Sequence, residues 1–368
     1  MRRYIGGAPA IGIVLADRLY LDHAATTPPT AAACAAVADG LARWANPSSP
    51  HAEGRAARAA LEDTRAAIAA AHCWGGEVLL TSGATESLAI ALSRATAGRR
   101  LVTAVEHDAV LRVAGDAAVL PVGSDGLLDP ATLPRDGARA LICVQWANSE
   151  TGVRQPIAAI AQAAHAAGHL LLVDAAQMPG GTADLAVHAD FVALSAHKHG
   201  GPPGVGALLV RDLGLLAPTG GQERGYRPGT ENLPGTLGWA AALTEAEPVE
   251  RWATLRARLE DAIVRSGGEV VAGDSPRHPA IGSYRMPGVA ATTQLIRFDL
   301  AGIAVSAGSA CSSGSMKPSH VLAALGWSED AGREVVRISF GRDTSEADGE
   351  RAITAWRDIA RATRRFAA

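Results

Sequence analysis

Short apolar runs alternate with amphipathic or alanine-rich stretches between about residues 75 and 210. A run that is apolar at every position is typical of a strand buried on both faces, as in a parallel sheet covered by helices. The stretch 157–167, like others between the runs, has helical character. We therefore predict an α/β region with a largely parallel sheet, in which ligands bind at the carboxyl ends of the strands. The predicted strands are 77–80, 100–103, 140–144, 169–173, 191–194 and 207–210.

The pattern changes after Gly235, where charged helices and isolated strands replace the alternation. The predicted elements are helices 237–246 and 251–265, strands 269–271, 281–285 and 335–340, and a last helix from Ser345. Asp348 stands at capping-box spacing from Ser345. We predict two domains, a large α/β domain over 20–245 and a smaller α+β domain over 246–368 that includes the N-terminal arm 1–19.

Composition and charge narrow the class of protein. Of the 368 residues, 48% are hydrophobic and 19% are charged, which fits a soluble protein with substantial cores. The net charge of −3 and the few aromatic side chains give no reason to expect nucleic acid as a partner, so the arginine-rich stretch 357–365 is interpreted as a solvated helix face. No apolar run reaches the roughly 20 residues that span a membrane.

The four cysteines stand singly, without a Cys-x-x-Cys pair, which fits a reducing cytoplasm better than a disulfide framework. The first sixteen residues have the charged-then-apolar order of a secretory signal. However, Gly6, Gly7 and Pro9 interrupt the apolar part, and it runs into a predicted strand at 19–21. We therefore expect a cytoplasmic protein. No residue is assigned to a metal ion.

Two loops carry the candidate nucleophiles. Lys198 lies in the Gly- and Pro-rich loop 195–204, directly after a predicted strand, where its amine suits a Schiff base with an aldehyde cofactor. Cys311 lies among serines, glycines and alanines in 306–315, where access to the thiol is good. Taken alone, Cys311 could equally be a surface thiol without a role.

Three further segments place polar groups at the ends of predicted strands. In 81–87, Gly83 allows close backbone approach and Thr85 opens a helix, which predicts either a phosphate cradle or an ordinary helix cap. Asp174 could pair with the pyridinium nitrogen of pyridoxal phosphate or cap the following turn. His107 could stack on a cofactor ring and pass protons, or be structural.

Together these segments resemble the cysteine desulfurases, which belong to the class V aminotransferase group of fold-type I pyridoxal-phosphate enzymes. The resemblance is carried by motifs in the order of that family. They are YLDHAATTP at 20–28, NPSSPH at 46–51, SGATES at 82–87, ETG at 150–152, GQERG at 221–225, PGTEN at 228–232 and VRISFGR at 336–342. The resemblance implies a large cofactor-binding domain with a mainly parallel seven-stranded sheet, a smaller α+β domain carrying the cysteine loop, and pyridoxal 5′-phosphate as cofactor.

The resemblance also implies roles for individual residues. Lys198 would form the Schiff base and move the substrate Cα proton, and His107 would stack on the ring and act as acid or base. Asp174 would pair with the pyridine nitrogen, and Gln177 would reach the ring hydroxyl. Thr230 would reach the phosphate site of a neighbouring subunit, so a homodimer is expected. The full set of cofactor-binding residues is Ala84, Thr85, Asn148, Ser149, Asp174, Gln177, Ser195, His197, Lys198 and Thr230.

The implied reaction converts L-cysteine to L-alanine and leaves a persulfide on Cys311 for a sulfur-acceptor protein such as an iron-sulfur scaffold. Arg337 is the predicted ligand of the substrate carboxylate, because a guanidinium binds a carboxylate through two hydrogen bonds; Arg342 is close enough in sequence to compete. The alternatives are a selenocysteine lyase or another class V enzyme, and a catalytically idle sulfur-carrier scaffold.

The chain departs from the family pattern at several places. Ser149 follows Asn148 where a second asparagine is usual, which puts one polar cofactor contact in doubt. His23 stands where asparagine is common, and Leu88 and Ala89 replace another asparagine pair. The chain also ends soon after the last predicted helix, without the longer tail that docks an iron-sulfur scaffold, so a divergent paralogue with a different acceptor is a further expectation.

Overall fold

The computed structural model describes residues 18–178, 187–307 and 318–364. Its centre is a seven-stranded sheet. The strands are β2 Glu77–Thr81, β3 Arg99–Thr103, β4 Ala118–Leu120, β5 Ala140–Gln145, β6 Leu170–Asp174, β7 Phe191–Ser195 and β8 Gly206–Val210, which follow a short β1 at Leu19–Tyr20. Their spatial order is β2-β8-β7-β6-β5-β3-β4. β8 runs antiparallel to both neighbours and the other pairs are parallel, so the predicted mainly parallel seven-stranded sheet is confirmed.

Helices pack around this sheet. They are α1 Ala31–Ala42, α2 Ala52–Ala71, α3 Ala84–Arg94, α4 Asp108–Ala114, α5 Ile157–Ala166 and α6 Leu233–Leu243. Successive residues of β5 enter different apolar cores, Ile142 in one and Leu141 and Cys143 in the other. Both faces of the sheet are therefore covered, which explains the apolar runs within its strands. Burial raises the pKa of the Cys143 thiol well above its usual value, which disfavours the reactive thiolate.

The second part of the chain forms a smaller α+β unit. An antiparallel sheet has the order β12-β10-β9, where β9 is Glu269–Val270, β10 is Ile281–Arg285 and β12 is Val335–Ser339. β1 pairs in parallel with β11, Ile303–Ala304. The accompanying helices are α7 Val249–Arg265, α8 Ala291–Leu300, α9 His320–Ala324, α10 Glu329–Gly332 and α11 Glu346–Arg364.

One apolar core joins the beginning of the chain to this smaller unit. Leu19 and Leu21 pack in the same cluster as Trp252, Phe298 and Trp356. Leu19, at the described end of the predicted arm, therefore packs with the smaller unit, and this core continues two residues further, to Leu21. The domain boundary near residue 245 stays a proposal, which the separate cores support.

The helix ends follow their capping residues. The Ser345 hydroxyl accepts the Asp348 N–H, and the Asp348 carboxylate accepts the Ser345 N–H, so the predicted capping box is confirmed. α6 begins at Leu233, four residues before its predicted start, because the Asn232 side chain caps the Gly235 N–H. Within the described residues, no helix is both long enough and apolar enough to cross a bilayer.

Candidate active site

A cavity of about 580 Å³ lies where the carboxyl ends of the parallel strands meet the smaller unit. Gln145, Asp174 and Ser195 are the last residues of β5, β6 and β7, and all three line it. This is the position at which open α/β sheets bind ligands, and the volume lies in the range of small-molecule sites. Other predicted site residues that line it are Ala84, Thr85, His107, Ser149, Gln177, His197, Lys198 and Arg337.

Lys198 projects into this cavity from a single 3₁₀ turn, Ala196–Lys198, that directly follows β7. Its Nζ donates to the carbonyl oxygens of Ala24 and, at 3.0 Å, Ala25. The Ala24 carbonyl also accepts from the Gln177 amide at 2.9 Å. These acceptors belong to residues 22–27, here named the N-terminal strap, which leads from β1 towards α1. The carbonyl groups of the N-terminal strap thus hold the Lys198 and Gln177 side chains, on the side of the cavity that faces the smaller unit.

Asp174 is a buried carboxyl group, 7% exposed. Its Oδ1 accepts the Ala176 N–H at 3.0 Å. Burial raises its pKa, and the nearby His107 and Lys198 only partly oppose this shift. A cationic donor bound in the cavity would stabilise the carboxylate.

His107 is the N-cap of α4, and its Nδ1 accepts the Ala109 N–H at 3.1 Å. The neutral ring therefore carries its hydrogen on Nε2. The hydrogen bond fixes the ring at the cavity wall, where Nε2 is the remaining nitrogen for acid–base chemistry.

The start of α3 forms a cradle of free backbone N–H groups. Gly83 precedes the helix at φ +150°, a conformation that favours glycine, and no side chain of the described residues caps the first turn. A Cβ built on Gly206 of β8 would lie 2.5 Å from the Gly83 Cα, so this approach also depends on glycine. An anion in the cavity next to Ala84 and Thr85 would meet unpaired donors at the positive end of the helix dipole.

His197 stands beside this cradle in the cavity wall, and its Nδ1 lies 3.0 Å from the Thr26 hydroxyl. Burial lowers its pKa to about 4, and the positive charges of Lys198 and His199 contribute. The ring is therefore neutral near pH 7 and serves as a hydrogen-bonding group.

The structure distinguishes the two candidate arginines. Arg337, on β12, lines the cavity and donates to the Asp22 carboxylate at 2.7 Å and the Ser149 carbonyl at 2.9 Å, while its buried Nε has no hydrogen-bond partner among the described residues. Arg342 instead donates to the carbonyls of Glu245 and Ala246, and it is not among the residues that line the cavity. Only Arg337 is placed to bind a ligand in the cavity.

Two predicted site residues are not brought to this cavity within one chain. The Asn148 side chain is used in the turn that follows β5, where Oδ1 accepts the N–H groups of Glu150 and Thr151 and Nδ2 donates to Val105. Thr230 is exposed and does not line the cavity, and its role at a neighbouring subunit stays a prediction.

Cys311 lies outside the described residues, as do 308–317. The residues before that segment, Ser306 and Ala307, line the cavity. The described chain therefore reaches the cavity wall directly before that segment.

Several cavity residues were missed by the sequence reasoning. Asp22 and Leu88 line the cavity wall. Leu88 also belongs to an apolar core, so the leucine that replaces the usual asparagine adds apolar surface to the cavity. Behind the wall, Glu106 is fully buried, and burial raises its pKa to about 8. Its Oε1 accepts the Thr103 hydroxyl and the Gln145 N–H. Its position directly before His107, at the end of a strand, was the available signal.

These features fit the cofactor that the resemblance implies. The cavity combines an amine on Lys198, a buried acid at Asp174 whose raised pKa a pyridinium N–H would oppose, and a helix N-terminus without a side-chain cap for a phosphate.

Comparison with known proteins gives a consistent result. The family model described as "Aminotransferase class-V" matches residues 19–351. A curated cysteine desulfurase from Cereibacter sphaeroides is 37% identical, with 92% of this chain and 94% of that protein covered. The solved structure of a NifS-like protein from Rickettsia africae is similar with a TM-score of 0.83, at 28% identity, covering 93% of this chain and 99% of that chain. The structure described as SspA in complex with cysteine has a TM-score of 0.75 and 28% identity, covering 89% of this chain and 100% of that one.

Proposed function

Because this chain belongs to the class V aminotransferase family, whose members use pyridoxal 5′-phosphate, we propose that it is a cysteine desulfurase. It converts L-cysteine to L-alanine and leaves the sulfur as a persulfide on Cys311. The observation that carries the proposal is the convergence of Lys198, Asp174, His107 and Arg337 on one cavity. Curated relatives with this activity cover more than nine-tenths of the chain.

The cofactor would be held at both of its ends. Asp174 would pair with the ring nitrogen, Gln177 would reach the ring hydroxyl, and His107 would face the ring. Ala84, Thr85, Ser195 and His197 would bind the phosphate, with Thr230 of a second subunit completing that site. When bound, pyridoxal phosphate supplies an electron sink that lowers the cost of a negative charge at the substrate Cα. Asn148 acts one step away, by shaping the turn that presents Ser149.

Lys198 moves the substrate Cα proton. Its amine already donates to carbonyl groups of the N-terminal strap, and the turn that carries Lys198 directly follows a fully buried strand. Arg337 orients the substrate by binding its carboxylate. Asp22 and the Ser149 carbonyl pre-organise the guanidinium, so little side-chain entropy is lost when the substrate binds.

The thiolate of Cys311 attacks the sulfur of the bound cysteine. The new bond joins the two sulfurs, the bond between sulfur and Cβ breaks, and its electron pair remains with the three-carbon fragment. That fragment takes up a proton and leaves as alanine, so one sulfur atom is transferred without an external oxidant.

The remaining parts of the proposal concern the surroundings of the enzyme. The active unit is a homodimer, because the phosphate site draws Thr230 from the second copy. The protein works in the cytoplasm, where thiols stay reduced, and passes its sulfur to an acceptor protein such as an iron-sulfur scaffold.

Mass spectrometry tests this proposal directly. The holoenzyme is treated with L-cysteine, and the peptide that contains Cys311 is expected to gain one sulfur atom while an equal amount of alanine appears. Cys311→Ser should produce neither. Sulfide release by this variant at the wild-type rate, with dithiothreitol present, would indicate another class V activity. A protein without visible cofactor absorbance, whose spectrum is unchanged by Lys198→Ala, would indicate an idle scaffold.

A further inference from the structure

A second, small chamber adjoins the cavity and is not used by the proposed reaction. It has a volume of about 30 Å³. Ala24, Gln177 and Lys198 line both spaces, so these three residues form the wall between them. The chamber lies between Lys198 and the connection from α6 to α7, which carries Glu247.

The chamber is surrounded by polar atoms that lack hydrogen-bond partners among the described residues. His199 is 3% exposed, and neither of its ring nitrogens makes a hydrogen bond. Its Nδ1 lies 3.5 Å from Glu247 Oε1, and Glu247 Oε2 and Arg342 Nε are also buried and unpartnered. Buried polar groups are rarely left in this state, because each costs about 1–3 kcal/mol without a partner.

The size of the chamber suits water. A buried water needs roughly 10–15 Å³ of such space and two to four polar partners, so one or two molecules fit. The unpartnered atoms of His199, Glu247 and Arg342 supply the partners on one side, and the Lys198 wall lies on the other.

The charged and titratable groups facing the chamber come from several elements. They are His23 of the strap, Lys198 and His199 after β7, Glu247 before α7, His278 before β10, and Arg342 after β12. His199 also lowers the pKa of His72, at the end of α2. Burial lowers the pKa of His278 to about 3 and that of His72 to about 4, and it lowers the pKa of His23, so these three rings are neutral near pH 7.

Glu247 is the anion of this group. Contact with His199 and the charge of Arg342 lower its pKa, against the effect of burial. A proton on His199 would therefore lie beside the Glu247 carboxylate. The two groups form a His–Glu dyad, in which the carboxylate can stabilise the protonated imidazole.

We propose that the chamber binds ordered water and that His199 and Glu247 form a proton-exchanging dyad behind Lys198. The inference rests on the proposed function, because it gives Lys198 a proton partner outside the substrate cavity. A proton leaves the lysine ammonium for a chamber water, and that water passes one of its own protons to the His199 ring; the reverse path returns it. Glu247 stabilises the imidazolium, so it acts as a positioning residue.

The first test is structural and needs no activity. A high-resolution crystal structure of the wild-type protein is expected to show one or two waters hydrogen-bonded to His199 and Glu247. An empty chamber would overturn the proposal.

The second test follows a half-reaction that does not involve Cys311. The holoenzyme should exchange the Cα hydrogen of L-alanine with deuterium oxide, which proton NMR records across a range of pH. His199→Gln and Glu247→Gln are expected to slow this exchange about tenfold and to remove the acidic limb of the wild-type pH profile. His165→Gln is the matched control, because His165 also pairs with a carboxylate, at 2.9 Å from Asp190, but does not line the chamber.

The outcomes separate this proposal from the proposed function. If both chamber variants exchange the Cα hydrogen of alanine with the wild-type rate and pH profile, the proposed dyad is wrong, whether or not Cys311 gains sulfur. If Cys311 gains no sulfur while the variants still lose the acidic limb, the desulfurase activity is wrong and the dyad stands. Equal rate losses at every pH, with the limb retained, would indicate a purely structural role and also overturn the proposal.

Discussion

The two walls of the cavity are built in different ways. On the large sheet, Asp174 and Ser195 end strands that are buried at every position, and each strand is fixed by a neighbour on both sides. On the opposite wall, Arg337 is held by Asp22, 315 positions away, and by the Ser149 carbonyl. The first wall depends on local strand endings, whereas the second depends on contacts between distant segments.

This difference separates the two tasks of the site. The residues proposed to hold the cofactor are placed by the rigid sheet, and those proposed to select the substrate are placed by the seam between the two units. Changes on the sheet wall should therefore affect cofactor chemistry, and changes at the seam should affect substrate affinity.

The largest effect is expected on the sheet wall. Lys198→Ala should lower the rate of alanine formation at least about 1,000-fold, because the proton at Cα loses its carrier. Stopped-flow measurement of alanine production, with the visible spectrum recorded in parallel, checks this. A variant that keeps more than a tenth of the wild-type rate would contradict the role of Lys198.

At the seam, Arg337→Ala should lower kcat/KM for L-cysteine about 100-fold, mostly through KM, because the carboxylate loses a charge-assisted contact. Cofactor affinity should change little. Arg342→Ala is the control, because Arg342 donates hydrogen bonds to the Glu245 and Ala246 carbonyls outside the cavity. It should lower stability and leave KM nearly unchanged; a larger KM effect at Arg342 than at Arg337 would reverse the assignment.

A smaller effect is expected from crowding the phosphate cradle. In Gly206→Ala the new methyl group would lie 2.5 Å from the Gly83 Cα and the Leu194 carbonyl oxygen. Cofactor affinity should fall about tenfold and stability by about 1–3 kcal/mol. Fluorescence titration of the apoprotein and urea unfolding measure the two. Gly75→Ala is the control, because its methyl would meet nothing within 4 Å; equal losses in both variants would refute the cradle argument.

The smallest effect on turnover is expected at Glu106. Its pKa is raised to about 8 in the folded protein, so the native state holds a proton that the unfolded chain releases near pH 4.5, and stability falls as the pH rises between these values. The glutamine of Glu106→Gln cannot ionise. As the pH rises from 5 to 8, the unfolding free energy of this variant relative to that of the wild type should therefore increase by about 3 kcal/mol. Urea unfolding of both apoproteins at several pH values checks this; parallel pH curves would contradict it.

Much of the large sheet could be predicted from sequence because burial on both faces leaves a plain apolar signal. The six predicted strands occur with ends shifted by a residue or so. β4 was missed because it has three residues, of which Ala118 and Val119 are exposed, so it gives no such run. Lys198, Asp174 and His107 were singled out because each lies at or shortly after the carboxyl end of a strand.

The rest of the site depends on contacts that one segment cannot encode. Asn148 belongs to the expected motif, yet its amide is used by its own turn, and no local pattern distinguishes that use from a ligand contact. The sequence alone does not show which of Arg337 and Arg342 faces the ligand. The folded structure does, because Arg342 packs against the α6–α7 connection. The water-sized chamber joins residues from the strap, the lysine loop and the end of the chain, so it exists only after folding.

The strap also bears on how the protein is made. β1 pairs with Ile303 and Ala304, the Ser339 N–H donates to the Leu21 carbonyl, and the Ala24 N–H donates to the Ser339 hydroxyl. These residues near the start of the chain thus pair with partners that are synthesised some 300 positions later, while the sheet between them can already fold. Translation must therefore be nearly complete before the cavity is closed. We expect the B6 coenzyme to bind late in the biogenesis of this enzyme.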